Sequence, residues 1–486
     1  MKKSKYSYFF VIDDEYVGYS YLTDNYAAFP IKLKEQIESI IECPDDILTN
    51  ADVDIYKELS NKKFLISDDY DEYNYLLRLN RQLIHKKDFL ALTIAPTMSC
   101  NCRCPYCYEL HPSLKNSKMD NEVVNNIKQY ITNNIKNIHE LYIGWFGGEP
   151  LLCMDIVQEI SDFCINICGQ EEVKFDSRMT TNGVLLNKKN IQILNACRIN
   201  TLQITLDGPQ EKHDKTRITI GGQPTFSIIR KNIDNFLDSC LEDTISLRVH
   251  VTADANNKEI DNIVEMLKSF KMEHRDRIRP YPYITFSACS EKRALNSTGS
   301  FELSKCYKNS ASYMHETKIT DYISTEIMNL GFNKVSNAGR KHPVACLYEL
   351  ENNWVIRYDG YLTKCTVGLE KERAIAKLTN DGIVLFPERF LKNIKKEFST
   401  KLYEHCKNCE LLPFCWQKCT YQHYLNPEFE NFVAIGCQKG KESWTIKQEK
   451  NKLIANYKKA KESSSQVCNG SNGNENRQIY KNSQFN

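Results

Sequence analysis

Cysteine spacing constrains this chain more than any other feature of its sequence. Twenty of the 486 residues are cysteine, and eleven of them lie in two groups, four at 100–107 and seven at 346–437. The basic start MKKSK is followed by Asp13, Asp14 and Glu15 before any long apolar run, so it does not have the pattern of an export signal. In a reducing compartment, cysteines grouped in this way indicate metal ligands or catalytic thiols rather than disulfides.

The composition excludes several broad classes of protein. Apolar residues make up 41% of the chain and charged residues 26%, which is enough apolar surface to build a large core. The 64 basic and 62 acidic side chains leave a formal net charge of +2, so no overall field attracts nucleic acid or an anionic membrane. The sequence has no run of 18 apolar residues. We therefore expect a cytoplasmic protein that binds neither nucleic acid nor membrane.

The order of patterns along the chain predicts five segments. Residues 1–88 combine short β-like runs with two amphipathic helices, which predicts a small α+β module that acts as a structural cap or docks a peptide. Residues 89–290 alternate strands and helices, and residues 291–345 are expected to form a helical linker. Residues 346–440 are loop-rich and spaced by cysteines, as in a fold that metal organises. Residues 441–486 are expected to form a helix and then a disordered polar tail.

Six candidate strands in the second segment predict an α/β fold. They are FLALTIAP, ELYIGWF, KFDSRMT, TLQITLD, SLRVHVT and YPYITFS. Strands that alternate with helices form a parallel sheet or a barrel with the helices outside. The first cysteine group, GGEP, TNG and DGP each follow one of the first four strands. Since such folds place their chemistry at the carboxyl ends of the strands, we expect these four motifs to converge on one site.

The first cysteine group has the spacing of a site with three thiolates. Cys100, Cys104 and Cys107 form a C-x3-C-x2-C run, which can hold three irons of a cubane and leave the fourth iron without a protein ligand. An open iron can bind a substrate or cosubstrate directly. Structural zinc is the competing interpretation, but such a site needs four ligands, commonly in two separate pairs. Cys102 is interpreted as a bystander thiol, because its one-residue spacing to Cys104 suits a shared cubane poorly.

This run, with an aromatic residue before its last cysteine, resembles that of the radical S-adenosylmethionine (radical SAM) enzymes. The resemblance implies a partial (β/α)6 barrel of the TIM type. It also implies a [4Fe–4S] cluster whose open iron is chelated by S-adenosylmethionine, which one electron cleaves to release a 5′-deoxyadenosyl radical. A low-potential donor such as flavodoxin or ferredoxin would supply that electron.

Three further motifs extend the resemblance. WFGGEP at 145–150 resembles the GGE motif of the family, TTNG at 180–183 follows the third strand, and TLDGP at 205–209 with HDKTR at 213–217 resembles a subgroup signature. The chemistry fits, since main chain beside glycine can approach a ligand closely and a carboxylate can accept from an ammonium. The predicted contacts to S-adenosylmethionine are Gly147, Gly148, Glu149, Asn182, Thr205 and Arg217.

The second cysteine group resembles the SPASM domain, which carries two auxiliary [4Fe–4S] clusters. The resemblance therefore implies three clusters in the whole chain. Carried over by position, the distal auxiliary cluster would use Cys406, Cys409, Cys415 and Cys437. The nearer one would use Cys346, Cys365 and Cys419, with a fourth site that is open or filled by a ligand the sequence does not identify. A zinc ribbon would account for residues 406–419 alone, but not for all seven positions.

Two classes of SPASM enzyme compete as interpretations. Anaerobic sulfatase maturases, which oxidise Cys or Ser to formylglycine, begin their barrel close to the N-terminus and carry an extra cysteine after the first SPASM cysteine. They also have an Asp base directly after the cysteine that matches Cys365. In this chain about 88 residues precede the barrel, residues 347–353 contain no cysteine, and Thr366 follows Cys365. These departures favour the maturases of ribosomally synthesised natural-product peptides, whose N-terminal winged-helix module takes a leader peptide as an added strand.

We therefore predict a radical SAM/SPASM oxidoreductase that abstracts hydrogen from a precursor peptide and forms a thioether, carbon–carbon or ether cross-link. The leader of that peptide would dock on residues 1–88. The sequence does not identify the general base. The alternative from another class is an iron–sulfur or zinc-stabilised binding protein, which would explain the cysteines but not GGE, TNG and DGP after successive strands.

Overall fold

A computed structural model describes most of the chain. The described residues are 1–46, 49–107, 117–252, 255–285, 349–366, 371–388 and 407–410, with shorter stretches at 319, 322–327, 329–332, 369, 412–415, 453–454, 457–458 and 461. Across these residues, no helix combines the length and the apolar character needed to cross a bilayer.

The chain divides into two compact units. The first comprises Met1–Glu72 with Ser336–Lys341 and Ser443–Asn486, and the second comprises Tyr73–Val335 with His342–Glu442. The elements of Met1–Glu72 are β1 (Lys2–Lys3), β2 (Ser7–Ile12), β3 (Glu15–Ser20), β4 (Asn25–Pro30), α1 (Lys34–Glu42), α2 (Asn50–Asn61) and β5 (Leu65–Ile66). Helix α3 (Glu72–Ile84) begins at the last residue of this stretch.

The first unit is built on an antiparallel sheet in the order β2-β3-β4. One face of the sheet buries Tyr16, Ala27 and Phe29 against apolar side chains of α1 and α2. On β3, Glu15 accepts hydrogen bonds from Tyr457 at 3.0 Å and from Lys461 at 2.8 Å, so residues from the C-terminal part of the chain belong to this unit. The β-like runs and helices predicted for residues 1–88 lie at β2, β3, α1 and α3, whereas the sequence patterns do not predict β4 or α2.

The second unit contains the predicted alternation of strands and helices. After α3, its elements are β6 (Phe89–Ile94), α4 (Asn121–Asn134), β7 (Glu140–Trp145), α5 (Met154–Gln170), β8 (Lys174–Thr180), α6 (Lys188–Ala196), β9 (Thr201–Leu206), α7 (Gln210–Thr216), α8 (Phe226–Ser239), β10 (Thr244–Thr252), α9 (Asn257–Lys268) and β11 (Ile278–Thr285). Strands β12 (Asn353–Ile356), β13 (Tyr361–Thr363), β14 (Ala376–Thr379) and β15 (Gly382–Leu385) and the short helix α10 (Leu412–Cys415) follow.

One large mixed sheet holds these strands together. Its order is β11-β10-β9-β8-β7-β6-β12-β13-β14-β15, and the six strands from β6 to β11 are parallel. Strand β12 pairs parallel to β6, and β13 to β15 extend the sheet as antiparallel strands. The α/β fold is therefore confirmed, and the six predicted strands are the six parallel ones. Their order in space is their order in sequence, as short connections through a helix require.

The two faces of the parallel sheet differ in character because side chains alternate along a strand. One face buries branched apolar side chains against the helices, for example Ile204 on β9 and Val249 on β10. The other face, here called the polar face, is formed by alternate residues of β7 to β11. They are Tyr142, Asp176, Arg178, Gln203, Thr205, Ser246, Arg248, His250, Arg279, Tyr281 and Tyr283.

Candidate active site

The loop that follows β6 carries the first cysteine group. Cys102 and Cys104 are buried, whereas Cys100 and Cys107 are partly exposed. The amide of Cys107 donates to the carbonyl of Cys104 at 3.1 Å, so the last two predicted ligands lie on one turn. The three predicted ligands of the first cluster therefore lie on a single loop at the carboxyl end of the first parallel strand.

Cys100 is surrounded by hydrogen-bond donors. The amide nitrogen of Cys102 lies 3.4 Å from its Sγ, and Nδ2 of Asn182 lies 3.7 Å from the same atom. The Cys102 thiol also donates to Cys100, and these bonds lower the pKa of Cys100 to about 6 against the opposing effect of burial. The same thiol–thiol bond, together with burial, raises the pKa of Cys102. The thiol that the sequence analysis interprets as a bystander is thus a buried contact of the first predicted ligand.

Two glycines let the cysteine loop approach the end of β7. Gly148 donates its amide to the carbonyl of Thr97 at 3.0 Å, and Glu149 donates to the carbonyl of Ser99 at 2.9 Å. A Cβ on Gly147 would lie 2.3 Å from the Thr97 carbonyl oxygen, and one on Gly148 would lie 2.2 Å from that of Ser99. Gly147 also has φ +113°, in the region that favours glycine. The GGE motif therefore fixes the cysteine loop through main-chain contact.

Glu149 is completely buried and joins the ends of two strands. Its carboxylate accepts from the Thr181 hydroxyl at 2.7 Å, the Asn182 amide at 2.7 Å and the Leu151 amide at 3.1 Å. Burial raises the pKa of Glu149 to about 7, although these three hydrogen bonds act in the opposite direction. The carboxylate is thus already bonded to three donors of the protein itself.

Asn182 connects the TTNG motif to the cysteine loop. Its Nδ2 donates to Oδ1 of Asn101 at 2.8 Å, and its own Oδ1 accepts from the Val184 amide at 2.9 Å. Both ends of the amide are therefore oriented, and the Nδ2 end lies beside Cys100. The motifs after β6, β7 and β8 form one hydrogen-bonded group, as we expect from their positions at the ends of neighbouring strands.

A second anchor of the cysteine loop comes from the chain that follows α7. Arg103 donates its amide to the carbonyl of Ile218 at 2.8 Å, and Ile220 donates to the carbonyl of Asn101 at 2.9 Å, around an isolated antiparallel bridge. These residues come directly after Arg217, the last residue of the HDKTR run. The short segment that follows the HDKTR run therefore pairs with the cysteine loop.

Asp207, from the TLDGP motif, is the centre of a buried polar network. Its Oδ2 accepts from the Tyr106 hydroxyl at 2.5 Å and from the Thr216 hydroxyl at 2.8 Å. Its Oδ1 lies 3.4 Å from Nη2 of Arg217 and 2.9 Å from Nδ1 of His250. Burial raises the pKa of Asp207, but the Arg217 charge and the His250 bond outweigh it, so the pKa lies well below its usual range. Asp207 thereby links the cysteine loop to β9 and β10.

Arg217 is buried beside the same loop. Its Nη2 donates to the Tyr106 hydroxyl at 2.7 Å as well as to Asp207, and its charge is held by that carboxylate. Its Nε is buried and has no hydrogen-bond partner among the described residues. A buried donor without a partner costs free energy unless a bound group satisfies it.

His213 and Asp214 of the HDKTR run bond to the main chain of Asp207 and to the start of α8, respectively. The amide of Asp207 donates to Nδ1 of His213 at 3.2 Å, and Nε2 of His213 lies 3.0 Å from the Thr225 hydroxyl. Burial lowers the pKa of His213 to about 4. The carboxylate of Asp214 accepts from the amides of Thr225 and Phe226 at 3.0 and 2.8 Å, where α8 begins.

Thr205, the remaining predicted contact, lies on the polar face of β9, where its register partner on β10 is Arg248. The predicted site does not include the polar residues of β10, although Ser246, Arg248 and His250 alternate with apolar residues in SLRVHVT. That alternation shows that one face of this strand is polar. It could have indicated that Arg248 and His250 share one face of β10, and the register with β9 adds Thr205 to that face.

The second cysteine group is described only in part. The described part of this group includes the hairpin of β12 and β13, where Gly360 has φ +76° and donates its amide to the carbonyl of Arg357 at 3.0 Å. Cys365 follows that hairpin, and Cys365 and Cys409 are partly exposed. Cys415 ends α10. The other predicted auxiliary ligands, Cys346, Cys406, Cys419 and Cys437, lie outside the described residues. Within the described part of the chain, no three His, Cys, Asp or Glu side chains form a group suited to a metal ion.

Comparison with known proteins finds a family model that matches the part of the chain with the candidate site. Residues 94–267 match the model of the Radical SAM superfamily. A probable GTP 3′,8-cyclase of Archaeoglobus fulgidus is 28% identical over 181 residues, which are 37% of this chain and 55% of the cyclase. The chain thus spans about half the length of that relative.

Longer matches come from maturating enzymes. A cysteine-type anaerobic sulfatase-maturating enzyme of Clostridium novyi is 21% identical over 356 residues, which are 70% of this chain and 90% of that enzyme. The solved structure of native anSMEcpe with bound AdoMet and Cp18Cys peptide has the same fold, with a TM-score of 0.51 and 17% identity over 72% of this chain and 99% of that one. Residues 94–267 therefore form a radical SAM domain, in a chain that is homologous to the anaerobic sulfatase-maturating enzymes.

Proposed function

We propose that this protein is a radical SAM peptide maturase, which cleaves S-adenosylmethionine reductively and abstracts hydrogen from a residue of a precursor peptide. The product would be a thioether, carbon–carbon or ether cross-link. The observation that carries the proposal is the single loop with Cys100, Cys104 and Cys107, fixed at the carboxyl ends of β7, β8 and β9 by the GGE, TNG and DGP motifs. An iron–sulfur or zinc-stabilised binding protein would not need these three motifs around the cysteine loop.

Three features of the described residues support a [4Fe–4S] cluster with S-adenosylmethionine, although the thiols of the cysteine loop are not gathered into a metal-binding group in this structure. Three thiols lie on one loop, the side-chain amide of Asn182 lies beside the first of them, and the buried Nε of Arg217 has no partner among the residues that the structure describes. When bound, the cluster supplies the single electron that cleaves the sulfonium of S-adenosylmethionine. We assign the three thiolates to the cluster and the Arg217 guanidinium to the orientation of a carboxylate beside it.

The protein's own residues then have distinct tasks. Gly147 and Gly148 allow the main chain of the cysteine loop to lie directly against the end of β7. Glu149 accepts from the main-chain amide of Asn182, whose side-chain Nδ2 lies beside Cys100. Asp207 neutralises Arg217 and orients Tyr106, so the buried charge stays in place without solvent. We assign the auxiliary [4Fe–4S] clusters, with the cysteine ligands carried over by position, to the removal of the second electron or to the binding of a substrate thiolate.

The peptide substrate is supported by the relatives. The similar proteins of Clostridium are named for the maturation of sulfatases, and one solved structure of this fold is described with a bound peptide. A precursor peptide with its leader on residues 1–88, and an electron from flavodoxin or ferredoxin, complete the proposal.

A sulfatase-type maturase that makes formylglycine is the second candidate. It is favoured by the alignment with the C. novyi enzyme, which spans 90% of that enzyme. Thr366 directly follows Cys365, where the sulfatase maturases have an Asp base. This makes the second candidate less favourable, because a threonine hydroxyl cannot replace a carboxylate as a base.

The test uses the full-length protein, reconstituted and handled without oxygen. We expect about twelve irons per chain, four for each of three cubanes, and release of 5′-deoxyadenosine with dithionite and S-adenosylmethionine. Replacing Cys100, Cys104 and Cys107 with Ala should remove about four irons and abolish nucleoside release. The matched control is Cys168→Ala, which removes a buried thiol of α5 and should leave both readouts unchanged.

Two outcomes would contradict the proposal. Zinc in place of iron, or a fully loaded protein that releases no nucleoside, would support the metal-stabilised binding protein instead. A peptide with a sulfatase-type Cys tests the second candidate, because formylglycine carries an aldehyde that hydrazide reagents label.

A further inference from the structure

Arg248 occupies a defined place on the polar face of the sheet. It lies on β10 between register partners Thr205 on β9 and Tyr281 on β11. His250, two residues further along the same strand, bonds to Asp207, which in turn bonds to Tyr106 on the cysteine loop. Since residues two apart on a strand are separated by about 7 Å, Arg248 lies one row of side chains away from the network at the candidate active site.

The guanidinium of Arg248 is held by its neighbours before any ligand binds. Its Nε donates to the Tyr281 hydroxyl at 2.9 Å, and that hydroxyl donates to Oε1 of Gln203 at 3.3 Å. The guanidinium carbon lies 4.9 Å from the ring centre of Tyr283 and 5.8 Å from that of Tyr281. A guanidinium that is fixed through Nε and lies over an aromatic ring loses less conformational entropy when its two Nη groups bind a ligand.

The charge of Arg248 has no acidic partner in the described part of the chain. Two other arginines are paired, Arg178 with Asp176 at 2.9 Å and Arg217 with Asp207 at 3.4 Å, whereas Arg279 on β11 forms no ion pair among the described residues. Asp207 could not serve Arg248 instead, because its two oxygens already bond to four side chains. A half-buried, oriented and unpaired guanidinium is an arrangement suited to a carboxylate ligand, which it binds through two parallel N–H···O bonds.

We propose that Arg248 is a specificity residue that binds a carboxylate of the peptide substrate, from an Asp or Glu side chain near the residue that loses hydrogen. The inference rests on the proposed function and adds a substrate class to it, namely peptides with an acidic residue close to the reaction site. The carboxylate of S-adenosylmethionine is the other source of the same chemistry, and the two arms of the experiment separate these sources.

The first arm selects peptides from a library displayed on phage, with ten random positions, using the full-length, reconstituted protein without oxygen. Wild type should enrich Asp and Glu over Asn and Gln at one position. In Arg248→Gln that enrichment should fall about tenfold, since a fork of two charge-assisted bonds is lost. Arg248→Lys should retain a smaller part of it, because a lysine keeps the charge but not the fork.

The second arm measures equilibrium binding of S-adenosylmethionine to the same variants, which should stay within about twofold of wild type. The matched control is Arg178→Gln, which removes the same charge from the same face but from a guanidinium already paired with Asp176. It should keep the acidic enrichment. Tyr281→Phe, which frees Nε of Arg248 without changing charge, should reduce the enrichment by a smaller factor and serves if Arg248→Gln fails to fold.

Unchanged acidic enrichment in a folded Arg248→Gln protein overturns the proposal. So does a loss of S-adenosylmethionine binding with unchanged peptide selection, which would assign the guanidinium to the cosubstrate. Both arms measure binding, so a failure of the radical chemistry would appear in the nucleoside assay and leave these results intact.

Discussion

Buried carboxylates at the two edges of the parallel sheet have different partners. At the carboxyl edge, Asp207 follows β9 and contacts a guanidinium, an imidazole and two hydroxyls. At the amino edge, Asp243 precedes β10 and accepts from Ser239 at 3.0 Å and from the Asn200 amide at 3.3 Å. Both side chains are essentially inaccessible to solvent, but only the first is bonded to a buried cation.

Because their partners differ, the pKa of Asp207 is lowered and the pKa of Asp243 is raised. Burial alone raises the pKa of a carboxyl group, and it raises that of Asp243 to about 6. Burial also acts to raise the pKa of Asp207, but the charge of Arg217 reverses the result. The two buried carboxylates therefore have separate roles. Asp243 joins the turns before β9 and β10, whereas Asp207 holds the charge of Arg217 in a fixed position beside the cysteine loop.

The largest expected effect follows from removing Asp207. In Asp207→Ala the buried Arg217 loses its counter-charge, and an unpaired buried charge typically costs about 3–5 kcal/mol. We expect this loss in the free energy of opening of β9 and β10, measured by native-state hydrogen exchange. The control is Asp176→Ala, which breaks the half-exposed pair with Arg178 and should cost less than about 1 kcal/mol. Equal effects of the two substitutions would mean that burial does not distinguish the edges.

A smaller effect is expected from glycine substitution at the carboxyl edge. In Gly148→Ala the new methyl group would lie 2.2 Å from the carbonyl oxygen of Ser99, so the cysteine loop must move. We expect a cost of about 3 kcal/mol and a lower iron content after reconstitution. At Gly169, near the end of α5 at the amino edge, an added methyl group would meet no heavy atom within 4 Å. Gly169→Ala should therefore leave iron content unchanged, and a loss of iron there would contradict the special packing of the carboxyl edge.

The edges also differ in how far the sequence predicts them. The six strands could be predicted because their apolar runs are bounded by turns, and the motifs at their carboxyl ends because each contains a glycine or a cysteine at a recognisable spacing. The hydrogen bonds of Glu149 could not be predicted, since the motif indicates a ligand while burial directs the carboxylate to Thr181 and Asn182. His250 has no motif at all. It reaches Asp207 only because the register of β9 and β10 sets them side by side.

The smallest expected effect concerns pH and the amino edge. The folded pKa of Asp243 lies near 6, above the value of about 3.9 in an unfolded chain. Protonated Asp243 therefore favours the folded state fully below about pH 4, and this contribution is lost as the pH rises through 6. Asp243→Asn removes the titration and should stabilise the protein by about 2 kcal/mol at pH 7, with little difference from wild type at pH 4. Urea unfolding at the two pH values measures it.

Asp155→Asn is the matched substitution, and its expected effect on stability at pH 7 has the opposite sign. The hydrogen bond from Lys118 lowers the pKa of Asp155, so its contribution is present above about pH 4 and is lost as the pH falls further. Because this pair is more than half exposed, its removal should cost well under 1 kcal/mol. If Asp243→Asn were destabilising at pH 7, the carboxylate would be charged and stabilised there by its neighbours. The amino edge would then hold charge as the carboxyl edge does, and the distinction between the two edges would fail.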